Sequence, residues 1–338
     1  MVKVLQGISN NKITKKSILA IGNFDGFHIG HQSIIKAGKQ IAKNNKKKFG
    51  ILTFNPLPYE YFTKNYNYKL ISNNEKVDLA DKLGLDYIIF LNFNKNLRNS
   101  SPQDFISKIL LKKINMSHII VGKEFRFGKK RKGNVNYLKK TLKPLNIKVT
   151  GAEIVNRYDG KISSSKIRKK IMQGKVLEVK KSLNRFWSVK EKVLQGRKVG
   201  RKIGYRTANI ELKNRLNPKV GVYAVKILFQ KKVYKGIANF GYAPTFKRKK
   251  LVLECFIFNK INNLYGKVIE VQFIKFIRGE KKFMSIEMLK KQIKYDIDKT
   301  RRILKNVWNK SKSTQNKIGN ESQFTKQRTR YFKILGHH

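Results

Sequence analysis

Residues 17–42 read SILAIGNFDGFHIGHQSIIKAGKQIA. Ile18–Ile21 is an apolar run long enough for one buried strand. Gly22, Asn23, Phe24, Asp25 and Gly26 make a turn, His28 and His31 flank Gly30, and Ile34, Ile35, Ala37, Ile41 and Ala42 recur at helical spacing. The order is strand, glycine turn, two histidines, helix. A helix start offers unpaired N–H groups and the positive end of a dipole, so this order suits a phosphate. Two imidazoles at i and i+3 add donors on one face, and Gly30 leaves room for close approach. The plainer alternative is a core turn capped by histidines. Of five histidines, two end the chain and two of the other three lie here. No Gly-Lys-Ser/Thr occurs, which excludes a Walker A loop, and the stretch does not fit G-x-G-x-x-G.

Up to about residue 150, apolar strands alternate with helical segments. Strands are expected at Ile18–Ile21, Phe49–Phe54, Tyr87–Phe93 and His118–Val121, and helices at Gln32–Lys43, Asn74–Leu83, Pro102–Ile114 and Asn134–Leu142. This alternation predicts a parallel sheet covered by helices, with anions bound at the carboxyl ends of the strands. From about Trp187 the pattern changes to strands at Val189–Leu194, Gly221–Phe229, Val233–Asn239, Leu251–Phe258 and Lys267–Phe276. Ile286, Leu289, Ile293 and Ile297 then follow at helical spacing. That predicts an antiparallel barrel closed by a C-terminal helix. The expected domains are 1–182 and 183–306, followed by a poorly ordered basic tail, 307–338.

The second half carries its own chemistry. Gly196, Gly200 and Gly204 recur with Arg197, Lys198, Arg201 and Lys202 among them, as in a basic loop over phosphates or in solvated turns. Thr207 and Asn209 share one side of an extended segment and are hard oxygen donors suited to Mg²⁺. Glu254 shares a strand face with Val252, Phe256 and Phe258, so it is either paired across the strands with a lysine or used as a general base. Cys255, on the other face, reads as a small core residue. In 162–174, ISSSKIRKKIMQG, serines precede a helix and Lys166 and Arg168 fall in its first turns. That makes a second anion site, or an ordinary serine cap.

The net charge is +57, which would draw any polyanion. The lysines run through the whole chain, and no zinc-finger or RRM-type spacing accompanies them. Compositional drift is the better account than a nucleic-acid role, and no specific nucleic-acid partner is expected. One cysteine, no leader-like start and no long apolar run fit a cytoplasmic protein without a membrane partner. The oligomeric state is left open.

H-x-G-H resembles the nucleotidyltransferase superfamily, and GNFDGFHIGH as a whole resembles the FMN adenylyltransferase half of the bacterial bifunctional riboflavin kinase/FAD synthetases. The resemblance runs from residue 1 to about 306 with the motifs in order. It implies a Rossmann-like α/β nucleotidyltransferase domain and a riboflavin kinase barrel. The two would make FMN from riboflavin and FAD from FMN, with ATP, Mg²⁺ and flavins as cofactors, substrates and products. His28 and His31 become catalytic, with Gly22, Asn23, Phe24, Asp25, Gly30, Ser163, Ser164, Ser165 and Arg168 on ATP. The segments Thr53–Pro58 and Val121–Gly128 resemble flavin-side motifs, implying Phe54, Pro56, Glu124, Phe125 and Phe127. In the barrel the resemblance implies Gly196, Lys198, Gly200, Arg201 and Gly204 on ATP, and Thr207 and Asn209 on the nucleotide's Mg²⁺. It further implies Glu254 as base and Arg278 and Phe283 on the flavin. Asn55, Leu57, Arg206 and Ala243 depart from the family pattern. The rival functions are a monofunctional adenylyltransferase for another phosphorylated substrate and a non-enzymatic RNA-binding protein.

Overall fold

The structure is a computed structural model and describes residues 1–8, 11–153, 156–157, 160–195, 205–243, 250–259, 261 and 263–307. The chain forms two compact units, Met1–Lys190 with Leu212–Lys219, and Glu191–Glu211 with the chain from Val220 onward.

The first unit runs β1 (Lys3–Gln6), β2 (Ile18–Ile21), α1 (Ile29–Asn44), β3 (Phe49–Phe54), α2 (Pro58–Thr63), α3 (Asn73–Lys82), β4 (Tyr87–Leu91), α4 (Lys95–Asn99), α5 (Pro102–Asp104) and β5 (His118–Gly122). The short pair β6 (Arg126–Phe127) and β7 (Gly133–Asn134) follows, then α6 (Val135–Leu142), β8 (Lys148–Ala152), a second short pair β9 (Asn156–Arg157) and β10 (Gly160–Lys161), α7 (Ser164–Met172) and α8 (Val176–Leu183). Six strands form one sheet in the order β1-β4-β3-β2-β5-β8, every adjacent pair parallel. The four expected strands form its centre. The two edge strands escape the pattern because KVLQ and KVTGA are only part-covered and carry no unbroken apolar run.

Apolar side chains on the two faces of the sheet form two cores, one around Leu19, Leu52, Ile89 and Leu110 and one around Ile18, Phe49, Ile51 and Ile88. The helix expected over Pro102–Ile114 starts as one α-turn and continues as a π-helix, Phe105–Ile114. Its buried Ile106, Leu110 and Ile114 fall every four residues, a spacing the wider turn keeps on one side. The chain leaves β2 toward β3 on one side and returns through β5 on the other. The carboxyl ends of β2 and β5 therefore flank the topological switch point, where open α/β sheets bind ligands.

The second unit is a closed barrel, β11-β12-β15-β14-β13-β16, built from β11 (Ser188–Leu194), β12 (Thr207–Ile210), β13 (Gly221–Phe229), β14 (Lys232–Ala243), β15 (Lys250–Ile257) and β16 (Val268–Arg278). Ala208, Ile210, Leu253, Cys255, Phe240 and Val271 are buried. A final helix, α9 (286–307), lays Ile293 and Ile297 against Val222, Ile237, Phe256 and Ile277. The loop 196–204 and the tail 308–338 lie outside the described residues.

Candidate functional site

The turn between β2 and α1 is held by side chains of four other segments and by Gln32 of α1 itself. Asn23 O accepts from Thr53 Oγ1 at 2.8 Å and Lys76 Nζ at 2.9 Å. Asp25 O accepts from Ser164 Oγ at 2.9 Å, Gly26 O from an Arg185 guanidinium nitrogen at 2.9 Å, and Phe27 O from Gln32 Nε2 at 2.8 Å. Carbonyl oxygens would repel an anion, and these four are already committed to protein donors. Phe24 and Phe27 hold φ of 44° and 43°, the left-handed region that bulky residues avoid and that concentrates at functional turns.

α1 begins at Ile29, three residues before the sequence expectation, because His28 caps it: Nδ1 accepts from His31 N at 3.3 Å. That bond places the proton of neutral His28 on Nε2, leaving an N–H donor there. The rings of His28 and His31 stack at 3.7 Å, and Phe24 lies 5.2 Å from His31. A Cβ at Gly30 would stand 3.2 Å from the His28 ring, so the close approach Gly30 permits is that of the histidine itself. Burial, with the Arg168 charge second, pushes the His28 pKa down to about 4. Burial also holds His31 well below its ordinary value, with the charges of His28 and Lys76 adding to it. His31 Nδ1 is buried and has no hydrogen-bond partner. His118 sits at the amino end of β5, where Nε2 meets Thr150 Oγ1 at 2.8 Å.

The two expected anion segments meet through Asp25 and Arg168, at 2.6 Å. Asp25 also accepts Leu70 N, and Arg168 also bonds Tyr68 O and lies 3.6 Å from the Tyr68 ring. Phe24, Asp25 and Arg168 are all buried, so they shape the turn from behind. Ser163 caps α7 by accepting from Lys166 N, Ser165 is exposed, and Gly22 and Asn23 form the outer part of the turn.

Phe54, Phe125 and Phe127 belong to one core cluster at the carboxyl ends of β3 and β5. Phe125 stacks on Phe127 at 5.6 Å, and Phe54 meets Phe93 edge-on at 6.0 Å. Glu124 is exposed beside them and Pro56 is half-buried. Asn55 accepts from Lys69 Nζ, and Leu57 is core.

On the barrel, strand register gathers the expected residues. Asn209 faces Glu254, Glu254 faces Asn239, Asn239 faces Val222 and Val222 faces Arg278. One rung therefore crosses five strands on the outer wall, with Thr207 two residues along β12 from Asn209. Glu254 is half-buried, and desolvation raises its pKa. Arg278 is fixed by Asp296 of α9 at 2.8 Å and stands 5.9 Å from the Phe283 ring. Among the described residues no three His, Cys, Asp or Glu side chains gather as a metal cage. Thr207 and Asn209 fit a hard divalent ion that arrives with oxygens of its own substrate. Gly196, Lys198, Gly200, Arg201 and Gly204 lie outside the described residues. Sequence reading missed Lys76, Gln32, Arg185 and Asn239, for which no local motif exists.

Comparison with known proteins covers both halves of the chain. A family model described as FAD synthetase matches residues 10–166, and one described as riboflavin kinase matches 183–304. A bifunctional riboflavin kinase/FMN adenylyltransferase of Buchnera aphidicola subsp. Schizaphis graminum is 39% identical over 303 residues, covering 88% of this chain and 97% of that protein. The chain belongs to the bifunctional riboflavin kinase/FMN adenylyltransferase family. A second member, from Bacillus subtilis, is 34% identical over 86% of this chain and 94% of its own length. A crystal structure titled a macrolide-efflux protein from Streptococcus pneumoniae superposes with a TM-score of 0.79 at 27% identity, covering 89% of this chain and 99% of that one. It shares the architecture. No helix among the described residues here is long and apolar enough to cross a membrane.

Proposed function

We propose that this chain phosphorylates riboflavin to FMN on the barrel and joins FMN to AMP at the His28–His31 turn. The carrying observation for the second reaction is the turn whose carbonyls are bonded away, leaving the helix start and the His28 Nε2–H for phosphate oxygens. A phosphate oxygen of FMN attacks the α-phosphorus of ATP, the α–β bridging bond breaks, and pyrophosphate leaves. Neutral His28 and His31 donate to the phosphates without needing to ionise. Ser163 and the start of α7 add N–H groups near the turn. Phe54, Phe125 and Phe127 offer an apolar wall for a flavin ring.

On the barrel, Glu254 takes the proton from the attacking hydroxyl of riboflavin, and burial raises its basicity for that task. Thr207 and Asn209 hold the nucleotide-borne Mg²⁺, which neutralises charge on the transferring phosphoryl group. Arg278 and Phe283 bind the far end of the flavin. The loop 196–204 is assigned to ATP on sequence grounds. Both activities are placed in the cytoplasm, with ATP and flavins as partners.

The test is one reaction with riboflavin, ATP and Mg²⁺, with FMN and FAD resolved by chromatography. His28→Ala cuts FAD formation by about 10²-fold or more and spares FMN formation, and Glu254→Gln does the reverse. Equal loss of both activities from either variant, in folded protein, contradicts the assignment of separate sites.

A further inference from the structure

Lys76, on α3, is 1% exposed, yet it approaches the turn with a full ammonium group. Its two hydrogen-bond partners, Asn23 O at 2.9 Å and Thr53 Oγ1 at 3.0 Å, are both uncharged. The carboxylates around it are engaged elsewhere. Asp25 pairs with Arg168 at 2.6 Å, and Glu60 with Lys69 at 3.3 Å. Counting Asp25, Glu60, Arg168, Lys69 and Lys76 leaves one buried positive charge without an anion. A buried charge of that kind is costly unless a counter-charge completes it. A second unmatched group lies at the same turn, the buried Nδ1 of His31, which feels the Lys76 charge.

We infer that Lys76 is a phosphate-recognition residue of the adenylyltransferase site, and that the missing counter-ion is the polyphosphate of ATP, or the pyrophosphate that leaves. This rests on the proposed function and names a further residue of that site. The ammonium has three N–H groups and the turn uses two, so one remains for a phosphate oxygen. Its anchoring on Asn23 and Thr53, at the ends of β2 and β3, fixes it at the switch-point edge at no cost in rotamer freedom when substrate binds. Burial lowers its pKa to about 8, with Asp25 opposing and Lys69 adding to the shift, which leaves it mostly charged at neutral pH.

The test compares Lys76→Met, which removes donor and charge, with Lys76→Gln, which keeps a donor for Asn23 O but no charge. FMN formation by the same protein and a thermal melt report folding. Both variants are expected to raise the KM for ATP in FAD formation, and the calorimetric Kd for pyrophosphate, by at least about tenfold, with FMN formation unchanged. Wild-type kcat/KM for ATP in FAD formation is expected to fall tenfold per pH unit above about 8. Recovery of wild-type KM and pyrophosphate binding by Lys76→Gln would overturn the inference and leave a purely structural lysine. A wild-type Lys76 ammonium whose pKa, followed by NMR titration, is not raised by bound pyrophosphate overturns it whether or not the variants fold. If His28→Ala also leaves FAD formation intact, the fault lies with the site assignment, not with Lys76.

Discussion

His28 is three things at once: the cap of α1, one half of a stacked imidazole pair, and a group kept neutral by burial and by Arg168. Those roles make it a liability in acid. In the unfolded chain its imidazole takes a proton near pH 6.5, and in the folded one only near pH 4, so the unfolded state binds more protons between these values. Stability is therefore full above pH 6.5 and lost as pH falls toward 4, by about 2 kcal/mol at pH 5 from His28. His31 acts in the same direction. Urea melts at pH 7.5 and pH 5 measure this loss, and His28→Gln should shrink it.

At the scale of elements, the important events are at ends. α1 is capped by a histidine, α7 by Ser163 and α3 by Ser72, and each cap lies at or beside the carboxyl edge of the sheet. Ser163 accepts from Lys166 N at 3.3 Å. Ser163→Ala should cost about 1 kcal/mol in a denaturant melt and raise the KM for ATP in FAD formation, since the same helix start faces the turn. On the barrel the comparable unit is the rung, not the strand. Alternation along β15 put Glu254 with Val252 and Phe256, and the structure adds that its cross-strand neighbours are two asparagines, Asn209 and Asn239. The rung supplies uncharged polar neighbours, and no ion pair to Glu254 occurs among the described residues. The general-base role of Glu254 is part of the proposal, and the Glu254→Gln assay tests it.

At the scale of the whole chain, sequence neighbours divide between units. Leu212–Lys219, between two barrel strands, belongs to the first unit. Within that unit Arg215 is fully buried, and both Glu75 oxygens bond its guanidinium at 3.1 and 2.8 Å, while Glu75 also accepts from Lys190 N and Ser72 N. Glu75→Ala strips a buried cation of its carboxylate and the capping box of α3 of its return bond to Ser72 N together. It should destabilise the first unit by about 3–5 kcal/mol, seen as an earlier transition in a thermal melt that follows FAD-forming activity. No periodicity or composition shift marks Leu212–Lys219 as part of the first unit, because its membership is set by long-range contacts: the Arg215–Glu75 pair and the bonds from Leu216 N to Lys69 O and from Lys219 N to Ile171 O.

The sequence by itself determined the α/β half, the barrel half, the H-x-G-H turn and the order of motifs. These depend on local periodicity and on residues close together in the chain. Only the tertiary structure decided which groups hold the turn's carbonyls, that Asp25 and Arg168 bind one another behind it, that Lys76 reaches Asn23 O, and that Asn239 lies opposite Glu254. Those partners are brought together by crossovers between parallel strands and by barrel register. Hydrogen bonds spanning 30 to more than 150 residues leave no local pattern to read.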